Sequence, residues 1–317
     1  MRLLADHATF VVSGTKIASE IGASRSEVWR LIQQLRELGV AIGGHPATGY
    51  SLNSMPDLLL PDVLAPMLKG TIFSNHIHHD FTTGSTNDDA MAAANAGAPE
   101  GSAFLAEQQT AGRGRSGRKW QSTRSEGIQC SVLLRPTLPP SEVLILALAA
   151  GLAVQAAVRE TDPGVTPDLK WPNDVLINGK KFCGILAEMN AEVTRVRYLV
   201  IGMGINVNQT SFPNDLRDSA TSLRMATGSV RSRVDVCAAL LKSLDREYRE
   251  LQSWTDARNS VIRRFSEQSS MVSGVSVHVE EDGGFEGVTE GLDSRGFLLV
   301  RTQQGIRTVL SGTVRTN

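Results

Sequence analysis

AGRGRSGRKW, residues 111–120, is the stretch around which this chain is organised. It sets Gly112, Gly114 and Gly117 between Arg113, Arg115, Arg118 and Lys119, and closes on Trp120. Glycines lack Cβ atoms, so a backbone rich in them reaches positive φ and brings its N–H groups close to a ligand. Guanidinium groups supply planar donor forks that match carboxylate and phosphate and stay charged at any working pH. Such a loop is suited to close over an anion. Taken alone, the same composition reads as a solvated basic loop or a nucleic-acid contact patch. The flanking sequence decides.

Upstream, residues 77–87 (IHHDFTTGSTN) read as a strand running into a helix start, with Ser85, Thr86 and Asn87 as N-caps for a helix from Asp88. Their hydroxyls and amide are equally able to bind a ligand's polar head. His76, His78 and His79 resemble a metal cluster, but no paired Cys or His spacing supports one, so they are read as a solvated strand edge and no metal ligands are assigned. Downstream, a strand near 128–134 leads to an apolar helix over 141–160, with Ser141 as its cap. That run falls short of the roughly 20 apolar residues of a membrane span, and a buried core helix is expected.

Next comes DLKWPNDVLINGKKFCGILAEM, residues 168–189. It reads as a strand to Trp171, a break at Pro172, a strand over 175–177, a type I′ turn at Asn178-Gly179 and a returning strand from Lys180. The hairpin brings Lys181 close to Asn173 and Asp174. A strand over 198–201 then ends in GMGINV, residues 202–207. A lone GxG is weak evidence of a dinucleotide fold, and no Walker A sequence occurs, so a nucleotide here would use neither common cradle. Helices over 234–251 and on to about 266 follow. From Val275 short alternating strands with turns at EEDGG, DSRG and TQQG predict a small antiparallel barrel.

The N-terminal residues 1–55 read as a winged helix-turn-helix. A helix over 15–21 ends at Gly22. A second begins at Ser24, with Glu27 completing a capping box, and stops at Gly39. Val28, Leu31, Ile32 and Leu35 make its apolar stripe, while Arg25, Ser26 and Arg30 are offered to a DNA major groove. Residues 40–42 and 50–52 pair as a hairpin around the wing tip 43–49. The alternative is a helical module that only docks or dimerises, because the segment's local charge is barely positive. MPDLLLPDVLAPMLKG, residues 55–70, is a proline-punctuated connector with a short helix.

The chain has 317 residues and a net charge of −1, which gives no global pull toward nucleic acid or anionic membrane. Three cysteines without CxxC spacing fit a reducing compartment, and the N-terminus lacks a signal peptide, so a cytoplasmic location without membrane contact is expected.

In order and over nearly the whole length, the chain resembles the biotin–protein ligases of the form that also represses the biotin operon. The resemblance rests on the winged helix, STN at 85–87, EQQTAGRGRSGRKW at 107–120, KWPNDV at 170–175, GKKFCGIL at 179–186, GMGINV at 202–207 and ATSL at 220–223. It implies an α+β protein: a winged helix-turn-helix (1–55), a central mixed sheet with helices of the class II synthetase-like biotin/lipoate ligase fold (56–268), and an SH3-like β-barrel (269–317). It implies formation of biotinyl-5′-AMP from biotin and ATP with Mg²⁺, then transfer of biotin to a lysine of the biotin carboxyl carrier protein of acetyl-CoA carboxylase. Operator DNA and a homodimer of the adenylate-bound form are the other implied partners.

Carried over by motif, Ser85, Thr86, Asn87, Gln109, Arg113, Gly114, Arg115, Lys181 and Gly184 resemble the biotin side of the site. Arg118, Lys119, Trp120, Asn173 and Asn206 resemble the ATP side, with Trp120 a stacking surface for adenine. Lys181 would bridge carboxylate and α-phosphate with Arg115 beside it. Asp174 would either accept the incoming lysine's proton or help place Mg²⁺. Trp120 and Asp174 read equally as packing or hairpin-corner residues. The chain departs from the family pattern at Gly84, where an acidic residue is common, and at SGTVRTN, where Arg315 is offset; C-terminal ligand contacts are left unassigned. Two alternatives stand beside this reading: a lipoate–protein ligase and a non-catalytic biotin-sensing repressor.

Overall fold

The computed structural model describes residues 2–5, 10–37, 40–53, 57–253, 256–280, 283–310 and 312–316. Its contacts divide into two units, residues 1–58 and 59–317. The first contains α1 (Arg2–Ala5), α2 (Gly14–Ile21), α3 (Arg25–Glu37) and the hairpin β1 (Ile42–His45)–β2 (Gly49–Leu52). Ser13 caps α2 through the Lys16 N–H at 3.1 Å, and Gly22 ends it with φ 65°. Ser24 accepts the Glu27 N–H at 3.1 Å, but the reciprocal half of the expected capping box is missing, because the Glu27 carboxylate pairs with Arg30 instead.

The expected stop at Gly39 lies outside the described residues. The first wing strand starts two residues later than expected and runs three further, and the second starts one residue earlier, leaving only 46–48 as the tip. Gly44, at φ 95°, allows this, since a Cβ there would stand 2.0 Å from the Gly49 carbonyl oxygen. Arg25 donates to the Pro46 carbonyl at 2.9 Å and so ties α3 to the wing tip. Val28, Ile32, Ile42, Tyr50 and Leu52 form the interior of this unit.

The second unit begins with α4 (Pro61–Met67), β3 (Ile77–Asp80), α5 (Thr86–Asn95), β4 (Ala103–Ala106), β5 (Gly127–Leu134) and α6 (Leu144–Thr161). Then follow β6 (Asp168–Lys170), β7 (Asp174–Ile177), β8 (Lys180–Ala191), β9 (Val196–Asn206), α7 (Leu223–Thr227), α8 (Arg233–Ser253) and α9 (Ala257–Glu267). The strands form one mixed sheet in the order β3-β4-β5-β9-β8-β7-β6, in which only β3 and β4 run parallel. The chain closes with β10 (Ser273–Glu280), β11 (Phe285–Leu292), β12 (Leu298–Thr302), β13 (Gly305–Val309) and β14 (Thr313–Thr316). These five make an antiparallel sheet in the order β13-β12-β11-β10-β14. Glu281 and Asp282 of the expected EEDGG turn, and Ser311 and Asn317 at the C-terminal end, lie outside the described residues.

Strand alternation sorts the large sheet into two faces. Ile128, Cys130 and Val132 of β5, Cys183 and Ile185 of β8, and Leu199, Ile201, Met203 and Ile205 of β9 enter the main core with α6 and α8. On the opposite face Leu133, Tyr198 and Val200 pack with Ala90 and Ala94 of α5. Further along that second face the residues are Gln129 and Ser131, Gly184 and Leu186, and Gly202 and Gly204. There the side chains become small or polar, and a hollow opens. The GMG of β9 is therefore the inner face of a continuing strand, and the expected strand end at 201 is corrected to Asn206.

Other expectations change in detail. α6 starts at Leu144 after a 3₁₀ turn over Pro140–Glu142, and Val143 occupies its N-cap position in place of Ser141. It is long and apolar enough to cross a bilayer, but 78% of its apolar window is buried inside the fold. The His cluster is not a solvated edge throughout. His78 stacks on Phe104 with ring centroids 4.6 Å apart, and the nearly buried His79 meets Glu107 at 3.1 Å. Glu107 also accepts from the Leu59 N–H (3.0 Å) and Ser125 (2.9 Å) and pairs with buried Arg233 at 2.7 Å. Burial alone would raise the Glu107 pKa, but His79, Arg233 and the Leu59 amide hold it down to about 2.

Candidate active site

The hollow is a cavity of about 560 Å³, and all the residues assigned to chemistry or to biotin and ATP line it. These are Ser85, Thr86 and Asn87 from the start of α5, Gln109, Arg113, Gly114, Arg115, Arg118, Lys119 and Trp120 from the loop, Asn173, Asp174, Lys181 and Gly184 from the β7–β8 hairpin, and Asn206 at the end of β9.

Its floor is glycine and indole. Gly184 and Gly204 face each other across β8 and β9, and the Trp120 ring lies on both. A Cβ at Gly204 would be 2.3 Å from Trp120 Cε2, and one at Gly184 would be 3.1 Å from Trp120 Cζ3 and 3.0 Å from Lys181 Cε. Trp120 Nε1 donates to Gln129 at 2.9 Å, which fixes the ring's tilt.

One wall is a row of polar side chains. Gln109 Oε1 accepts from the Thr86 N–H at 2.8 Å, and Thr86 Oγ1 meets Ser131 Oγ at 2.7 Å. Ser131 donates to Asn87 Oδ1 at 2.6 Å, and Asn87 Nδ2 donates to Glu188 at 2.7 Å. A Cβ at Gly202 would sit 2.1 Å from Asn87 Oδ1, so glycine is required there. The expectation that Ser85, Thr86 and Asn87 all act as caps is corrected. α5 begins at Thr86, and Ser85, in the N-cap position, makes no capping bond with its hydroxyl.

The opposite wall carries the charge. The type I′ turn is formed as expected, with positive φ at Asn178 (51°) and Gly179 (75°). A register shift between Val175 and Leu176 inserts an extra residue on β8, sending Phe182 into the core and leaving Lys181 half-exposed at the cavity. Lys181 Nζ lies 2.7 Å from Asp174 Oδ1 and 5.8 Å from the Trp120 ring centroid. Arg115 donates to Asn173 at 3.1 Å, and Asn173 in turn donates to the Ile185 carbonyl at 2.7 Å. Burial lowers the Arg115 pKa, and the Asp174 carboxylate opposes that shift.

The loop is folded on protein partners, which corrects the picture of arginines that all await an anion. The Gly114 N–H donates to the Arg118 carbonyl at 2.7 Å, so it closes the turn and does not face a ligand. Arg113 pairs with Asp88 (2.6 Å) and Glu188 (3.0 Å), two carboxylates to one guanidinium. Among the described residues Arg115 and Arg118 hydrogen-bond neutral groups, Asn173 and the Thr313 hydroxyl.

Sequence reading missed Gln129, the Gly202–Gly204 floor, and Gly312, Thr313 and Val314, which bring the C-terminal sheet to the cavity rim, as well as Ser131 and Glu188, which support Asn87 from behind the lining. The alternation of small and large residues along β9 was the available signal. Arg315, left unassigned, pairs with Glu280 at 2.8 Å. Trp171 is a packing residue whose indole N–H donates to the Gly296 carbonyl at 2.9 Å. Among the described residues no group of three or more His, Cys, Asp or Glu is placed to hold a metal ion.

Comparison with known proteins places these features. Residues 83–206 match the Biotin/lipoate A/B protein ligase family, residues 1–51 an HTH domain, and residues 272–315 the Biotin protein ligase C terminal domain. The chain is 38% identical over 307 residues to the bifunctional ligase/repressor BirA of Bacillus subtilis, covering 96% of this chain and 93% of that one. It is 38% identical over 234 residues to the biotin–[acetyl-CoA-carboxylase] ligase of Mycobacterium tuberculosis, covering 72% and 83%. Among solved structures, the biotin protein ligase from Aquifex aeolicus in complex with biotin and ATP superimposes with a TM-score of 0.67 at 30% identity, over 77% of this chain and 100% of that one.

Proposed function

The chain belongs to the biotin protein ligase family, with the helix-turn-helix of its bifunctional ligase/repressor members, and we propose the following division of labour in it. Biotin occupies the neutral, glycine-floored part of the cavity, with its polar head on the Ser85–Thr86–Gln109 wall, and Trp120 offers its indole as a stacking surface for adenine. Its carboxylate reaches toward Lys181. The ATP phosphates lie among Arg115, Arg118, Lys119 and Lys181, with Asn173 and Asn206 on the nucleotide side.

Attack of the carboxylate on the α-phosphorus forms biotinyl-5′-AMP and expels pyrophosphate. The step brings like charges together, and preorganised cations in a water-poor cavity offset that repulsion. The single observation that carries the reading is the cluster Lys181–Asp174–Asn173–Arg115 beside an uncharged, glycine-lined hollow.

A magnesium ion fits this site as one borne mainly by nucleotide phosphates, with Asp174 as its protein oxygen donor, since Mg²⁺ typically takes one or two carboxylates plus phosphates. It would supply charge neutralisation at the leaving pyrophosphate. In the second step a carrier-protein lysine attacks the mixed anhydride and AMP leaves. Asp174 is suited to accept that lysine's proton once Lys181 is engaged by phosphate.

Residues 56–268 would carry this chemistry and residues 269–317 complete the pocket rim through Thr313, in a cytoplasmic enzyme. Residues 1–55 would bind operator DNA through Arg25, Ser26 and Arg30, with dimerisation following adenylate formation. On α3 both arginines are exposed but already tied within the unit, Arg25 to the wing and Arg30 to Glu27. Groove binding must therefore exchange those partners for phosphate or base edges. Biotin-dependent ATP–pyrophosphate exchange tests the ligase reading; exchange supported by lipoate in place of biotin, or by neither, rejects it. Salt-sensitive binding to DNA upstream of biotin genes, with and without biotin plus ATP, tests the repressor half.

A further inference from the structure

We propose that Glu188 is a positioning residue. It holds the 111–120 loop closed and sets the polarity of the biotin wall, acting through Arg113 and Asn87 without touching substrate. The inference rests on the ligase reading for its substrate and on geometry for everything else.

Asn87 and Arg113 line the cavity, whereas Glu188 stands behind them on β8, two positions beyond Leu186 on the same strand face. Its Oε2 accepts from Asn87 Nδ2 at 2.7 Å and from Arg113 Nη2 at 3.0 Å, and its Oε1 receives the same arginine nitrogen at 3.2 Å. It therefore joins the loop to the wall through both Arg113 and Asn87.

A carboxylate only accepts hydrogen bonds. Asn87 must then turn its NH₂ to Glu188 and its Oδ1 to Ser131, and Gly202 leaves just enough room for that oxygen. With the Ser131 proton spent on Asn87, Ser131 can only accept from Thr86, whose single hydroxyl proton is shared between Ser131 Oγ at 2.7 Å and Gln109 Oε1 at 3.0 Å. One charged group so fixes the donor and acceptor order of Asn87 and Ser131. Asn87, with both amide atoms engaged inside the protein, becomes part of the wall's framework and not a direct reader of biotin. The second partner of Arg113, Asp88, is half-exposed, and a surface pair of that kind holds a loop weakly.

The test uses full-length protein carrying Glu188→Gln, Glu188→Leu or, as a control, Asp88→Asn. The first readout needs no substrate: trypsin cleavage within residues 113–119 of the native protein. Losing a charge-assisted bond should speed cleavage by about tenfold in both Glu188 variants and by less than about threefold in Asp88→Asn. The second is the biotin KM against the ATP KM in pyrophosphate exchange. Glu188→Gln keeps an acceptor for Asn87 and should leave the biotin KM within about twofold, whereas Glu188→Leu should raise it by about tenfold with the ATP KM little changed. Unchanged loop cleavage in Glu188→Gln, or biotin and ATP KM rising together in Glu188→Leu, would overturn the proposal. If the wild type shows no exchange while loop cleavage behaves as expected, the ligase reading fails and the loop anchor stands.

Discussion

Replacing Gly204 by alanine probes the floor of the cavity directly. The new methyl would lie 2.3 Å from Trp120 Cε2 and 2.7 Å from Trp120 Nε1. Recovering an ordinary carbon–carbon contact of about 3.5 Å requires the ring to withdraw by more than ~1 Å. A move of that size breaks the 2.9 Å bond from Trp120 Nε1 to Gln129, at a cost of about 1 kcal/mol, and overpacking adds about 1–3 kcal/mol more. Each 1.4 kcal/mol is a tenfold change, so biotinyl-AMP affinity should fall by roughly 30- to 700-fold, measured by calorimetry or tryptophan fluorescence. The cause is isolated by a double-mutant cycle. In a Trp120→Ala background there is no indole to displace, and Gly204→Ala should then cost almost nothing. Additive losses in the cycle, or wild-type affinity for Gly204→Ala alone, would refute the stacked-floor reasoning.

Lys181→Ala should lower adenylate formation by about 10²- to 10³-fold in a soluble, folded protein, and wild-type pyrophosphate exchange by that variant would remove Lys181 from the chemistry. Arg115→Gly loses the bond to Asn173 and a cation on the closed loop, so biotinyl-AMP should escape about tenfold faster and biotinylate a bystander albumin; an unlabelled albumin with unchanged release argues against it. Removing residues 1–55 should abolish salt-sensitive DNA binding and leave ligase turnover, because every assigned ligand residue lies at or beyond Ser85. Buried Glu107, with its pKa held from 4.5 down to about 2, stabilises the fold fully above pH 4.5 and loses that contribution as pH falls toward 2. The loss is about 3 kcal/mol on the usual conversion, and acid unfolding of Glu107→Gln should show no such slope in that window.

How far the sequence was legible follows from which forces are local. The type I′ turn at Asn178-Gly179, the cap at Gly22 and the buried α6 depend on backbone preference and apolar content within a few residues; the turn and cap are where the sequence places them, and α6 is buried as expected though it starts three residues later. Elements set by non-local pairing drifted. β9 runs five residues past its expected end because Gly202 and Gly204 pair with β5 and β8, although glycine alone argues against a strand. His79 looks solvated in sequence and is nearly buried, its ring N–H donating to the Glu107 carboxylate 28 positions away.

The site was legible as a set and not as a set of roles. Motifs select residues for where their backbones go, and all of them reach one cavity. What an arginine does there depends on whether a carboxylate reaches it first, and such partners come from distant strands. Arg113 meets Glu188, 75 positions away, and Asp88, 25 positions away. Two acids on one base leave that corner negative, so Arg113 locks the loop and offers little attraction to another anion. Among the described residues Arg115 and Arg118 hydrogen-bond an amide and a hydroxyl, which orient a guanidinium without neutralising it, although the Asp174 carboxylate also acts on Arg115. One run of basic residues is thereby split into a latch at its first arginine and a cationic clamp in the rest, and the split puts positive charge where carboxylate and triphosphate must be brought together.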